Sequence, residues 1–153
     1  MAIWPFNTKP VVTPFQGPFT PQHIYTEGPI PATPYRFVIP DSVFAIPTAV
    51  VIQATTSAAA HAAGGFHLDF ITSNQIIHRA GFHALAANQT ILVSWFHGCA
   101  FNAPGAANLN HVAPMAFPIH MRPNDSILIT VTNCVALDVF DFISINAMIW
   151  EIY

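Results

Sequence analysis

Residues 122–133, Arg122-Pro123-Asn124-Asp125-Ser126-Ile127-Leu128-Ile129-Thr130-Val131-Thr132-Asn133, read as a turn followed by a strand. Proline presets φ for the turn, and Asn and Asp tolerate the left-handed region or bond their own backbone. Beyond it, Ile127, Ile129 and Val131 alternate with Leu128, Thr130 and Thr132. A period of two puts the first set on one face of a strand and the second on the other. One face is therefore apolar, and the opposite face is polar or only mildly apolar.

The same texture extends upstream and downstream. Phe66, Leu68 and Phe70 share a face, with His67 and Asp69 opposite. Strands are predicted over 35–39, 49–55, 66–72, 75–82, 90–97, 115–121, 126–133 and 142–153, where β-branched and aromatic residues dominate. Pro118 confines the stretch 115–121 to an edge or a bulge. Turn residues separate the runs at 72–74, 86–89, 122–125 and 133–134. The alanine-rich stretch 55–63 allows at most one helical turn before Gly64-Gly65 ends it. About eight strands at this spacing predict an all-β fold, a two-sheet antiparallel sandwich, and eight is the jelly-roll number.

The chain of 153 residues is one domain long, and its prolines divide it. Ten of the fourteen lie in the first 47 residues, several followed by an aromatic, as in Trp4-Pro5-Phe6, Pro14-Phe15 and Pro18-Phe19. Missing donors at that density exclude a helix or a central strand. Residues 1–34 therefore read as an extended, polyproline-like arm, and residues 35–153 as the sandwich domain. A solvated linker needs no aromatics. Trp4, Phe6, Phe15, Phe19 and Tyr25 accordingly read as anchors into grooves on a partner, although an arm wrapped on its own domain would use them too.

Composition excludes several function classes. Only 7% of residues are charged while 53% are hydrophobic, so a disordered chain is excluded. Four basic residues and a net charge of −3 exclude a nucleic-acid binder held by phosphate contacts. No stretch offers about 20 continuous apolar residues for a membrane span, and no secretory signal is recognisable. So few charges are too few to cover a monomer's surface, and self-association follows as the first expectation. Cys99 and Cys134 lie in or beside apolar segments and suit either free thiols or a disulfide.

Catalytic and metal motifs are absent from the sequence. The eight histidines (His23, His61, His67, His78, His83, His97, His111 and His120) form no HExxH pattern and no cupin-like His pair with a following Glu. His97-Gly98-Cys99 is the nearest approach to a ligand pair. No G-x-S-x-G elbow or phosphate-cradling glycine loop occurs. Asp138 and Asp141 read as acids that fix a turn or meet an arginine across an interface rather than as a glycosidase pair. The expectation is a protein without enzymatic activity, bound metal or cofactor. Protonation of eight histidines near pH 5 would move the net charge from −3 toward about +5, which makes acid dissociation a testable expectation.

Residues 122–133, with Phe140-Asp141-Phe142-Ile143-Ser144-Ile145 and the closing Trp150-Glu151-Ile152-Tyr153, resemble the last hairpin of jelly-roll subunits in viral and phage particles, such as head decoration (cement) proteins. Tumour-necrosis-factor-like trimers close in a similar way. The resemblance covers residues 115–153. It implies a virion protein on the capsid surface, made in the host cytoplasm. As a homo-oligomer, favoured as a trimer, it would grip the major capsid protein or neighbouring subunits. It also implies that Trp150, Ile152 and Tyr153 meet at the oligomer axis, where ordinary core packing is the competing reading.

A rival reading of a different class is a carbohydrate- or receptor-binding β-sandwich at a tail or fibre tip. It would use Trp95 or Tyr25 as an exposed aromatic beside the Asn-rich loop 100–110.

Overall fold

The computed structural model describes residues 22–59, 65–73, 75–83, 86–99, 110–115, 118–132 and 137–151. Every regular element among them is a strand: β1 (Gln22–Glu27), β2 (Ile30–Pro31), β3 (Tyr35–Val38), β4 (Val43–Thr55), β5 (Gly65–Thr72), β6 (Gln75–His83), β7 (Thr90–His97), β8 (Asn110–Met115), β9 (Ser126–Thr132) and β10 (Val139–Glu151). They form two sheets. The first has the order β1-β10-β4-β7-β8, with β2 also on β10, and the second has the order β3-β9-β5-β6. All pairings are antiparallel except β7 with β8. The expected all-β, two-sheet architecture is what the chain adopts.

The core is the apolar set between the sheets. Ile91, Val93 and Trp95 of β7 face Phe66, Leu68 and Phe70 of β5 and Ile127 and Ile129 of β9, all within the same buried cluster. Phe66 and Phe140 join the layers, with ring centroids 5.9 Å apart and planes tilted by 48°. Burying side chains of this size contributes about 2–3 kcal/mol each, which offsets much of the entropy of ordering the strands.

Several boundaries differ from expectation, each for a local reason. Residues 22–31, expected within the arm, instead form β1 and β2 on the free side of β10. The sandwich thus begins at or before Gln22 rather than at residue 35; residues 1–21 lie outside the described residues. Prolines do not prevent this, because β1 and β2 form the outermost strand position, where missing donors face away from the ladder. Between them Gly28 has φ +152°, and a β-carbon there would overlap the Asp141 carbonyl oxygen and approach Phe142 Cα. Only glycine lets the chain cross β10 that closely.

β4 begins at Val43 rather than residue 49, running straight through Pro47. The register with β10 passes from Asn146↔Ala49 to Ala147↔Pro47, so Thr48 is the extra residue of a bulge. A bulge is one of the few strand contexts that accepts proline. The strand expected at 115–121 lies earlier, at Asn110–Met115, on the outside of β7. After Pro118 the chain makes only a bridge at Met121, whose N–H and C=O both bond Ala45, at 2.8 and 3.0 Å. No helix occurs over residues 55–59, and residues 60–63 lie outside the described set.

Two turns fix the registers. Asp125 N donates to Arg122 O (3.1 Å), and Asn124 has φ +69°. Pro at the second position and a left-handed Asn at the third are the signature of a type II turn. Thr56, 4% exposed, joins the end of β4 to the turn before β7. Its backbone N donates to Gln89 O (2.8 Å), its hydroxyl donates to Ala86 O and accepts from Gln89 N (2.9 Å).

Candidate functional site

The sequence is poor in charge, and folding removes more of it from the surface. Asp69 is fully buried, and Asp125 and Asp138 are 7% and 2% exposed. Asp125 closes its own turn by accepting from Arg122 N at 2.7 Å. Asp138 Oδ1 accepts from Ser57 N at 2.7 Å, tying the loop after β4 to the start of β10. Asp141 Oδ2 accepts from Thr55 Oγ1 (2.8 Å) and Gln53 Nε2 (3.2 Å), across from β10 to β4. Both carboxylates are thus engaged within the chain, Asp138 at the loop into β10 and Asp141 across the sheet to β4.

Across the second sheet, Arg36, Leu128, Asp69 and Arg79 occupy one cross-strand row on β3, β9, β5 and β6. The outer face of the first sheet is different. Its rows are Val139, Thr55 and Thr90; Phe142, Gln53, Leu92 and Asn110; Ser144, Val51, Ser94 and Val112; and Asn146, Ala49, Phe96 and Pro114. Among the described side chains, Asp141 is the one charged group on this face, and its carboxylate is already engaged.

Beyond the Thr48 bulge this face becomes apolar. Met148 pairs with Ile46 and Trp150 with Phe44 in the β10–β4 ladder. Phe44 and Phe96 are 41% and 37% exposed, while Ile46 and Ala49 are below 9% although they lie outside the inter-sheet core. The bulge is closed on its other side by His97, whose Nε2–H donates to Pro47 O at 2.8 Å. Strands of 6, 13, 13, 8 and 6 residues, rising about 3.4 Å per residue and about 4.8 Å apart, give a face on the order of 800 Å². That matches the area each partner contributes to a stable protein–protein interface.

The site residues expected from sequence fall unevenly. Trp150 lies in β10 at the register position opposite Phe44. Tyr25 lies in β1 opposite Ile145, a core residue, so it is a sheet position and not part of a free arm. Trp4, Phe6, Phe15, Phe19, Ile152 and Tyr153 lie outside the described residues. Trp95 is fully buried between the sheets, which removes it as an exposed platform for a sugar. Residues 100–109 of the expected binding loop are outside the described set, and Asn110 opens β8. Phe44, Ile46, Phe96 and Met148 were missed. The alternation of Val43 and Ala45 with Phe44 and Ile46 signals them, but Pro40 and Pro47 mask it.

Among the described residues no three His, Cys, Asp or Glu side chains converge as a metal site. The His97–Cys99 pair is engaged by backbone, with Cys99 Sγ donating to Phe96 O at 3.3 Å and its thiol free of a disulfide. Cys134 lies outside the described residues. His111, 4% exposed, points into the sandwich, and burial holds its pKa below the usual imidazole value. Among the described residues no helix is long and apolar enough to cross a membrane. The chain matches no family model, no curated protein and no solved structure.

Proposed function

We propose that this chain is a non-enzymatic structural subunit of a virus or phage particle, a decoration (cement) protein that works as a homo-oligomer, favoured as a trimer. Copies meet through the outer face of the first sheet, and the Pro/aromatic segment before Gln22 laces the assembly to the major capsid protein or to neighbouring subunits. The observation that carries the reading is that face, on the order of 800 Å² by strand spacing, on which Asp141 is the one charged group among the described side chains and which turns apolar at Phe44, Ile46 and Phe96. A solitary soluble domain would place charge there.

The strand order supports the jelly-roll form of the reading. With β1, β3, β4, β5, β6, β7, β9 and β10 counted as eight successive strands, the sheets run first-eighth-third-sixth and second-seventh-fourth-fifth. That order fits the winding of a double Greek key closed into two sheets. β8 is then an addition on the free side of β7.

The test is native mass spectrometry of the full-length chain, followed by shell binding of a chain lacking residues 1–21. The truncation stops there because residues 22–31 are strands of the sheet. A particle near three times 16.7 kDa and loss of shell binding on truncation are the expected results. A monomer at micromolar concentration overturns the reading.

A further inference from the structure

β8 can leave the sandwich without breaking any other strand pairing. Among the described residues it pairs with β7 alone, in a parallel ladder, while β7 keeps its antiparallel partner β4. Parallel pairing is slightly weaker per residue than antiparallel, and Pro114 brings no N–H to the ladder. The inner side of β8 is buried all the same. His111, Ala113 and Met115 are 4%, 3% and 2% exposed, and the strand lies against β6 of the other sheet. Closing this edge buries two polar rings. His111 stands opposite Val93, and at the next inward position Trp95, fully buried, stands opposite Ala113. The indole Nε1–H of Trp95 has no hydrogen-bond partner among the described residues. A buried donor in that state carries its full desolvation cost, which offsets part of the apolar burial that holds β8 down.

We propose that β8 is an acid-released strap, which protonation of His111 detaches from β7 while the other strands stay paired. An imidazolium is strongly disfavoured in an apolar layer without a counter-charge. The strands packed against β8 supply none. The titratable groups at inward register positions are His78 of β6, opposite Phe70, and His97 of β7, opposite Met115 and already donating to Pro47 O. Arg79 and His83 of β6 hold outward register positions, and neither β6 nor β7 contains Asp or Glu. Burial holds the pKa of His111 below its ordinary value while β8 is closed. In the open form the ring titrates near its ordinary value of about 6.5, so the closed form is complete above that pH and loses ground as the pH falls below it.

Release bares the free side of β7, a strand of eight residues without proline. An exposed strand edge of that kind accepts another strand, so acid turns a closed edge into one that can pair. The strap does not rest on the particle reading.

Amide hydrogen exchange of the full-length protein at about pH 7.5 and about pH 5, corrected for intrinsic rates, tests this. The ladder amides of β8 are expected to exchange faster than those of β9 at both pH values, because a local opening exposes them without global unfolding. Going to the lower pH should reduce their protection by about tenfold, and His111→Gln should remove that step. Equal protection of β8 and β9 overturns the proposal, since β8 then opens only with the whole fold. Unchanged protection of β8 at the lower pH overturns it as well, and so does an acid step of full size in His111→Gln. The first two results are read on the parent chain and stand even where the variant fails to fold.

Discussion

The Nε2–H of His97, the last residue of β7, donates to the carbonyl of Pro47 in β4 at 2.8 Å. This bond closes the bulge at Thr48, the point where the outer face of the first sheet changes from mixed and polar to apolar. Because Pro47 is itself buried, its carbonyl has little access to water. His97 thus holds the geometry that presents Phe44 and Phe96 together.

His97→Ala leaves that carbonyl without its partner. A lost hydrogen bond with a buried acceptor costs about 1–3 kcal/mol. Urea denaturation should show a lower midpoint with an unchanged slope.

Gly28→Ala introduces a β-carbon where the Asp141 carbonyl oxygen already stands. The backbone of β1 and β2 must withdraw from β10, at a cost of about 2–4 kcal/mol. The melting temperature should fall, and amides of Val139–Ile143 should exchange faster than those of β9.

Phe96→Asp places a charge on the charge-poor face, at a residue already 37% exposed. The fold should change by no more than about 0.5 kcal/mol, as for other surface substitutions. Self-association should weaken by at least about tenfold, because a buried carboxylate has no partner across the contact. Sedimentation velocity measures this directly. For the parent chain, raising salt from about 0.05 to about 0.5 M should alter association little, since ion pairs contribute little to such a contact.

His111 makes stability depend on pH. Burial lowers its pKa in the folded state, so the unfolded chain binds the proton more readily. Its contribution is complete above the unfolded value of about 6.5 and declines as the pH falls from there toward the lowered folded value. Denaturation midpoints should drop between about pH 6.5 and pH 5, and the drop should shrink in His111→Gln.

Thr56→Val keeps the shape but removes the hydroxyl that bridges Ala86 O and Gln89 N. Leaving these groups unpaired beside a residue 4% exposed costs about 2 kcal/mol. The readout is a lower denaturation midpoint with native mass unchanged.

Much of the sandwich was legible because period-two alternation is local. Ser126–Thr132 and Thr90–His97 lie where the alternation puts them, with Trp95 inside and Phe96 outside. Proline misled the reading in both directions. Pro47 hid six residues of β4, since a bulge compatible with proline shows only when the partner strand is present. Pro29 and Pro31 made β1 and β2 look like free arm, since an edge position is a property of the sheet rather than of the segment. The candidate face was legible as charge depletion and not as a place.

By itself the sequence determined the class of the fold, the apolar and polar sets of its central strands, and a surface poor in charge. Only the tertiary structure decided which residues form that surface. Pairing brought Phe44 to Trp150 and Phe96 to Ala49, turned Trp95 inward, and spent Asp138 and Asp141 on internal hydrogen bonds. Alternation is fixed within a strand by backbone geometry. Adjacency between strands more than forty residues apart depends on register, and register is settled by packing of the whole sheet.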